Sequence, residues 1–237
     1  LALSGCFEPP LSFAPPGVQQ QSSYSFPLTT REKVDILFLV DNSNSMDSMQ
    51  GELKRRFPQF FKPFEDLAAK GTYADLHIGV VTSDYGAGAS GVANSCTASG
   101  PSGGGDQGRL IAIGKKADPA CKRPVGGNFI RYRFGESPEH NLPDRQGLVE
   151  TFTCMASVGS SGCGFEHPLE SVYAALHNQI AENAGFLRDD AILVVVFVTN
   201  EDDASAPPDS DVFDRNHPEY GYLSSYPRQT RFAVMCG

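Results

Sequence analysis

Val34-Asp35-Ile36-Leu37-Phe38-Leu39-Val40-Asp41-Asn42-Ser43-Asn44-Ser45-Met46 is the stretch from which the fold can be read. Val34 to Val40 is a nearly unbroken apolar run bounded by polar residues. A run this short and this apolar suits a parallel strand covered on both faces. The polar loop Asp41 to Ser45 follows. Beyond it Leu53, Phe57, Phe60, Phe61, Phe64, Leu67 and Ala68 recur near helical spacing, which predicts a helix with one apolar face. Pro58 and Pro63 fall within that helix, and a proline removes a backbone donor and crowds the preceding turn. The sequence therefore predicts a kink there or two shorter helices.

Downstream, Asp75 to Thr82 reads as a second strand. Residues 84–108 are rich in Gly and Ser and read as a long surface loop. Short strands are expected at Arg109 to Ile113 and at Asn128 to Phe134. Helical spacing returns at Leu169, Val172, Tyr173, Leu176 and Ile180, with Pro168 where a first-turn proline is tolerated. Ala191 to Thr199 is a third strong strand, followed by the polar tail Asn200-Glu201-Asp202-Asp203, and Arg231 to Cys236 looks like another strand. Strand, helix, strand, helix, strand predicts an α/β fold: a doubly wound, mostly parallel sheet with helices on both faces and long loop insertions. Ligands of such sheets bind beyond the carboxyl ends of the strands. That rule directs attention to the residues after Val40, Thr82 and Thr199.

The chain has 237 residues, enough for one large domain or two small ones. Its net charge is −9 and no basic run stands out, which argues against a nucleic-acid surface, since phosphate binding needs clustered Lys and Arg. An acidic protein more naturally recruits cations. No stretch is long and apolar enough to span a membrane as a helix. Leu3-Ser4-Gly5-Cys6 resembles a bacterial lipobox, which makes residues 1–6 the end of a lipoprotein signal and Cys6 the lipidated residue. Residues 7–30, with Pro9-Pro10, Pro15-Pro16 and Gln19 to Gln21, read as an extended tether. The expected location is extracytoplasmic, on a bacterial cell envelope or outer surface, with membrane contact only through a lipid at Cys6. In such a compartment cysteines oxidise. Pairing of Cys96 with Cys121 and of Cys154 with Cys163 closes local loops and is the expected scheme, with Cys236 lacking an obvious mate.

Asp41, Ser43 and Ser45 read Asp-x-Ser-x-Ser directly after a buried strand and before an apolar helix. Hydroxyl and carboxylate oxygens are the ligands a hard cation such as magnesium takes, and two neutral hydroxyls leave the ion electrophilic. The competing reading is that these residues cap the following helix, which explains one of them but not three at alternate positions. The whole segment Val34 to Met46 resembles the opening of a von Willebrand factor A domain, where this motif begins a metal-ion-dependent adhesion site. The resemblance extends over residues 31–237, with an insertion at 84–150 that is not typical of the shortest members.

That resemblance implies a protein-binding or adhesion module. Its magnesium ion (or manganese or calcium) has a position open for a Glu or Asp of a protein or peptide partner. Ser43 and Ser45 would bind the ion directly, and Asp41 directly or through water. The family's second loop carries a Thr, and the matching stretch Gly159 to Glu166 has none. Ser161 or Ser160 can supply a hydroxyl there and Glu166 a carboxylate, unless the stretch is only a disulfide-stapled turn. The family's third element is an Asp after the central strand. Here Asn200 stands in its place, offering a neutral oxygen, with Glu201, Asp202 or Asp203 as substitutes and Asp202 the favoured one. Tyr220, Tyr222 and Tyr226 are candidate partner contacts.

The alternative reading is a calcium-stabilised structural domain of an envelope lipoprotein. An enzyme is not expected, and no catalytic residue is assigned. No Gly-x-Ser-x-Gly elbow or His-Glu-x-x-His pair is present, and Gly103-Gly104-Gly105 lacks the Lys-Ser/Thr ending of a phosphate loop.

Overall fold

The central strand is β1 (Lys33–Val40), almost wholly buried, as its apolar run predicts. In the computed structural model, residues 33–86, 105–206, 210–214, 216–219, 221 and 223 are described. Cys6, the 7–30 tether, Cys96, Tyr220, Tyr222, Tyr226 and the expected strand at Arg231 to Cys236 lie outside the described residues. β1 pairs in parallel with β2 (Asp75–Thr82) on one side, Val34 opposite Leu76. On the other side it pairs in parallel with β5 (Ile192–Val198), Val34 opposite Ile192. β3 (Ile130–Arg133) adds to β2 antiparallel and β4 (Glu139–His140) adds to β3 antiparallel, giving the order β4-β3-β2-β1-β5.

Successive side chains of a strand point to opposite faces, and β1 uses both. Val34, Ile36, Phe38 and Val40 enter a core built from α1 (Asp47–Ala68) and α2 (Leu148–Ala156). Leu37 and Leu39 enter a second core with Val172 of α3 (Pro168–His177), Leu110, Phe129 and Phe186. Asp35, the one charged residue of the run, is fully buried but paired. The backbone N–H of Arg188 donates to its Oδ2 at 2.6 Å and the Arg188 Nε to its Oδ1 at 2.8 Å, while Arg188 also reaches Asp75. Charge pairing of this kind is what makes a buried carboxylate tolerable.

The chain is an α/β domain whose sheet is mixed, with three parallel strands and an antiparallel edge. β3 is reached through a long connection whose described residues contain no crossover helix, and it enters the sheet antiparallel, with β4 following as a hairpin return. α1 is one continuous helix of 22 residues, not the two shorter helices that were one of the two expectations. Pro58 and Pro63 both lie on its exposed face, where water can satisfy a carbonyl that loses its helical donor. No strand forms at Arg109 to Ile113, because its backbone bonds go to separate partners: Leu110 N–H to Asn183 Oδ1, Ile111 N–H to Val80 O and Gly114 N–H to Cys154 O. α2, inside and just beyond the expected insertion, was not foreseen.

The disulfide scheme is also corrected. Cys121 is bonded to Cys154, with Cα atoms 5.7 Å apart, so neither Cys96–Cys121 nor Cys154–Cys163 forms. The cause is the docking of 114–121 on the end of α2, where Gly114 N–H meets Cys154 O and Lys116 N–H meets Ser157 O at 2.9 Å each. Cys163 is disulfide-bonded as well, to a partner outside the described residues. Among the described residues β5 has no neighbour beyond it, and its Ile192, Leu193, Val194 and Phe197 are 37–44% exposed. Among the described residues no helix is long and apolar enough to cross a membrane.

Candidate metal centre

From β1 the chain passes through α1 to β2 on one side, and after α3 it returns to β5 on the other side of β1. The direction of winding therefore reverses at β1, and the carboxyl ends of β1 and β5 border the crevice where ligands of α/β sheets bind. Asp41 continues β1 by one step, its N–H donating to Val198 O at 2.9 Å. Its carboxylate is fully buried and accepts three bonds. Oδ1 takes the Ser43 N–H at 2.8 Å and the Ser83 hydroxyl at 3.1 Å, and Oδ2 takes the Thr199 hydroxyl at 2.8 Å. The ends of all three parallel strands thus converge on one side chain.

Ser43 Oγ lies 3.0 Å from Ser45 Oγ, and the Ser45 hydroxyl donates to Asn200 Oδ1 at 3.0 Å. The capping alternative for these residues fails. Ser43 precedes a short 3-10 turn and Met46 precedes α1, yet neither makes a side-chain capping bond. The Ser43–Ser45 and Ser45–Asn200 spacings are hydrogen-bond lengths and are also compatible with a metal shell. In an octahedral magnesium shell with metal–oxygen distances of about 2.0–2.1 Å, adjacent ligands stand roughly 2.8–3.0 Å apart. The two spacings of 3.0 Å along Ser43, Ser45 and Asn200 fit that edge length. Among the described residues no three His, Cys, Asp or Glu side chains form a metal-holding group, and the donor set here is chiefly hydroxyl and amide oxygen.

The 159–166 loop is fastened to the β1 loop. Gly162 N–H donates to Asn42 O at 2.7 Å, and Gln50 Nε2 bridges Asp41 O and Gly159 O at 3.1 and 3.4 Å. A Cβ at Gly162 would come within 2.3 Å of Asn42 Oδ1, so only glycine allows this approach. Ser160 donates to Asp47 at 2.9 Å, away from the serine pair, and Ser161 is exposed. Glu166 is 1% exposed, faces Asp41 and Ser43, and its Oε2 has no hydrogen-bond partner among the described residues. Burial, then the Asp41 charge, pushes its carboxyl up to about 9.

Of the acids after Asn200, Asp202 is exposed and joins no described bond in the cluster. Asp203 instead holds the start of α3, accepting from Leu169 N–H at 2.9 Å and the Ser205 hydroxyl at 2.8 Å. Of the residues expected at the metal, the structure brings Asp41, Ser43, Ser45 and Asn200 together and leaves Ser161 and Asp202 at the surface, while Ser83 and the anchoring role of Thr199 had not been expected. The rule that placed Asp41 would have found both, since each directly follows a parallel strand.

Beside Glu166, His167 is 1% exposed, stacked against Phe213 at 5.4 Å and Tyr85 at 6.0 Å, with neither ring nitrogen bonded among the described residues. Burial lowers its pKa from 6.5 to about 4, against the opposing pull of the Asp203 charge. The unfolded chain therefore binds more protons between those values, and stability falls as pH drops from 6.5 towards 4, by about 3 kcal/mol in total. Glu166 contributes the opposite slope above 4.5, since its folded pKa is raised. The effect of His167 is isolated by difference. Urea unfolding of His167→Phe and wild type in chelator should diverge progressively as the pH falls below 6.5, the variant keeping its stability. Parallel curves would rule the effect out.

Set beside known proteins, the chain has no counterpart to lend it a function: no family model, no curated protein and no solved structure matches it.

Proposed function

We propose that this chain is a von Willebrand factor A-type domain that holds a divalent cation at Ser43, Ser45 and Asn200 and uses it to bind an acidic residue of a partner protein or peptide. The observation that carries this reading is the pair of 3.0 Å oxygen spacings at the reversal point of the sheet, a geometry suited to a small hard cation. Asp41, whose carboxylate accepts from Ser43, Ser83 and Thr199, orients the ligand loop and acts on the ion from behind. The bound ion supplies a positive centre for a carboxylate. The chain's own residues fix the loops that surround it. Magnesium is the first candidate, with manganese and calcium as alternatives. The structural calcium reading is weakened because Asp203 is spent on the start of α3 and Asp202 stands apart. A lipid at Cys6 and the 7–30 tether would present the domain outside the cytoplasm, and the Cys121–Cys154 bridge suits an oxidising compartment.

Calorimetric titration of magnesium and manganese into the purified chain tests the proposal. Uptake by wild type, with affinity reduced by about 10–100-fold in a Ser43→Ala/Ser45→Ala variant, is the expected outcome. Heatless titrations at millimolar metal would end it. Capture of Asp- or Glu-bearing peptides should disappear with chelator and return with added metal.

A further inference from the structure

We infer that Glu166 is the anionic ligand of the proposed metal centre, supplying from the 159–166 loop a charge that the Ser43, Ser45 and Asn200 oxygens lack. The inference rests on the function proposed above and adds a residue to it. The three oxygens spaced for a cation are all neutral. Asp41 is charged, but its two oxygens already accept three bonds from Ser43, Ser83 and Thr199. A dication lodged there needs a carboxylate with an oxygen to spare. Glu166 is a buried carboxylate beside Ser43 that has one: its Oε2 lacks a partner among the described residues. A buried carboxyl oxygen without a partner is costly, and a cation beside it removes that cost.

The backbone holds the side chain in place from both sides. His167 N–H donates to Ser83 O at 2.9 Å, and Glu166 O accepts the Ala204 N–H at 2.7 Å. Glu166 is thereby clamped between the end of β2 and the loop that carries Asn200. Glu201 is half-buried and lies close enough for its charge to act on Glu166.

If the charge is what matters, it can be delivered from the opposite wall. Manganese is titrated calorimetrically into the full chain as wild type, Glu166→Gln and Glu166→Gln/Asn200→Asp, with near-UV spectra and melting in chelator recording the fold. Glu166→Gln should bind manganese about 10–100-fold more weakly with an unchanged spectrum, and adding Asn200→Asp should restore most of the loss. A merely structural role for Glu166 would not be rescued by a carboxylate on another loop. Should Glu166→Gln not fold, Glu166→Thr, which removes the charge with a smaller side chain, is read in its place. Equal affinity of wild type and Glu166→Gln overturns the inference while leaving the metal centre standing, and so does a loss that Asn200→Asp leaves unrepaired. Absence of uptake by wild type overturns the metal centre itself.

Discussion

Replacing Asp41 by alanine is expected to destabilise the metal-free domain by about 3–5 kcal/mol, because it strands buried donors as well as removing bonds. The Ser43 N–H, the Ser83 hydroxyl and the Thr199 hydroxyl all donate to this carboxylate, and they come from the ends of β1, β2 and β5. Losing the acceptor leaves three loops without their common anchor. Asp41→Asn should cost less, since an amide keeps one acceptor oxygen. Urea unfolding in chelator separates this effect from metal loss. If the midpoint of Asp41→Ala matched wild type there, Asp41 would have no scaffolding role, whatever it does for a cation.

Phe152→Ala is the second large effect, about 3–5 kcal/mol for truncating a fully buried aromatic side chain and leaving a cavity. Phe152 lies 4.6 Å from Phe38, 4.5 Å from Phe57 and 5.4 Å from Phe61, ring centre to ring centre, so one side chain joins β1, α1 and α2. Because α2 also carries Cys154, the substitution loosens the layer against which the 114–121 segment is bonded. Thermal or urea unfolding checks it, and a loss below about 1 kcal/mol would mean that α2 contributes little to the core.

The contrast between Phe152 and Asp41 marks what the sequence could reveal. β1 and β2 were legible because an apolar run covered on both faces leaves few alternatives, and Asp75 to Thr82 matches its strand residue for residue. Val34 to Val40 and Ile192 to Val198 look alike as sequence, yet among the described strands the first is central and buried and the second is outermost and partly exposed. Hydrophobicity fixes that a segment is a strand, while its neighbours depend on the order of strands, which no local pattern encodes. α2 escaped notice because its nine residues follow a Gly- and Pro-rich stretch and its core face is completed by Phe38 and Phe57, distant in the chain. The cysteine pairing failed for a related reason. Closeness in sequence stood in for closeness in space, and docking of 114–121 on α2 brought together two cysteines 33 residues apart.

The site was legible where chemistry is local. Asp41, Ser43 and Ser45 share one loop, and their spacing carried the reading. Glu166 lies more than a hundred residues away; the sequence offered it as one of several donors of the 159–166 loop, and its burial beside Ser43 with an unbonded Oε2 sets it apart from Ser160 and Ser161. Asp203 gave no sign in the sequence of its use at the start of α3, because its partner Leu169 is 34 residues distant.

That last bond has a mechanical consequence. The segment from Asn200 to Ser205 is riveted at three points to the first turn of α3 and the loop that enters it: Asp203 to Leu169, Ser205 to Glu170 and Ala204 to Glu166. Any tug on Asn200 by a docked protein is transmitted through those rivets to the helix beneath, and the load is shared by the far layer of the domain instead of ending in a slack loop.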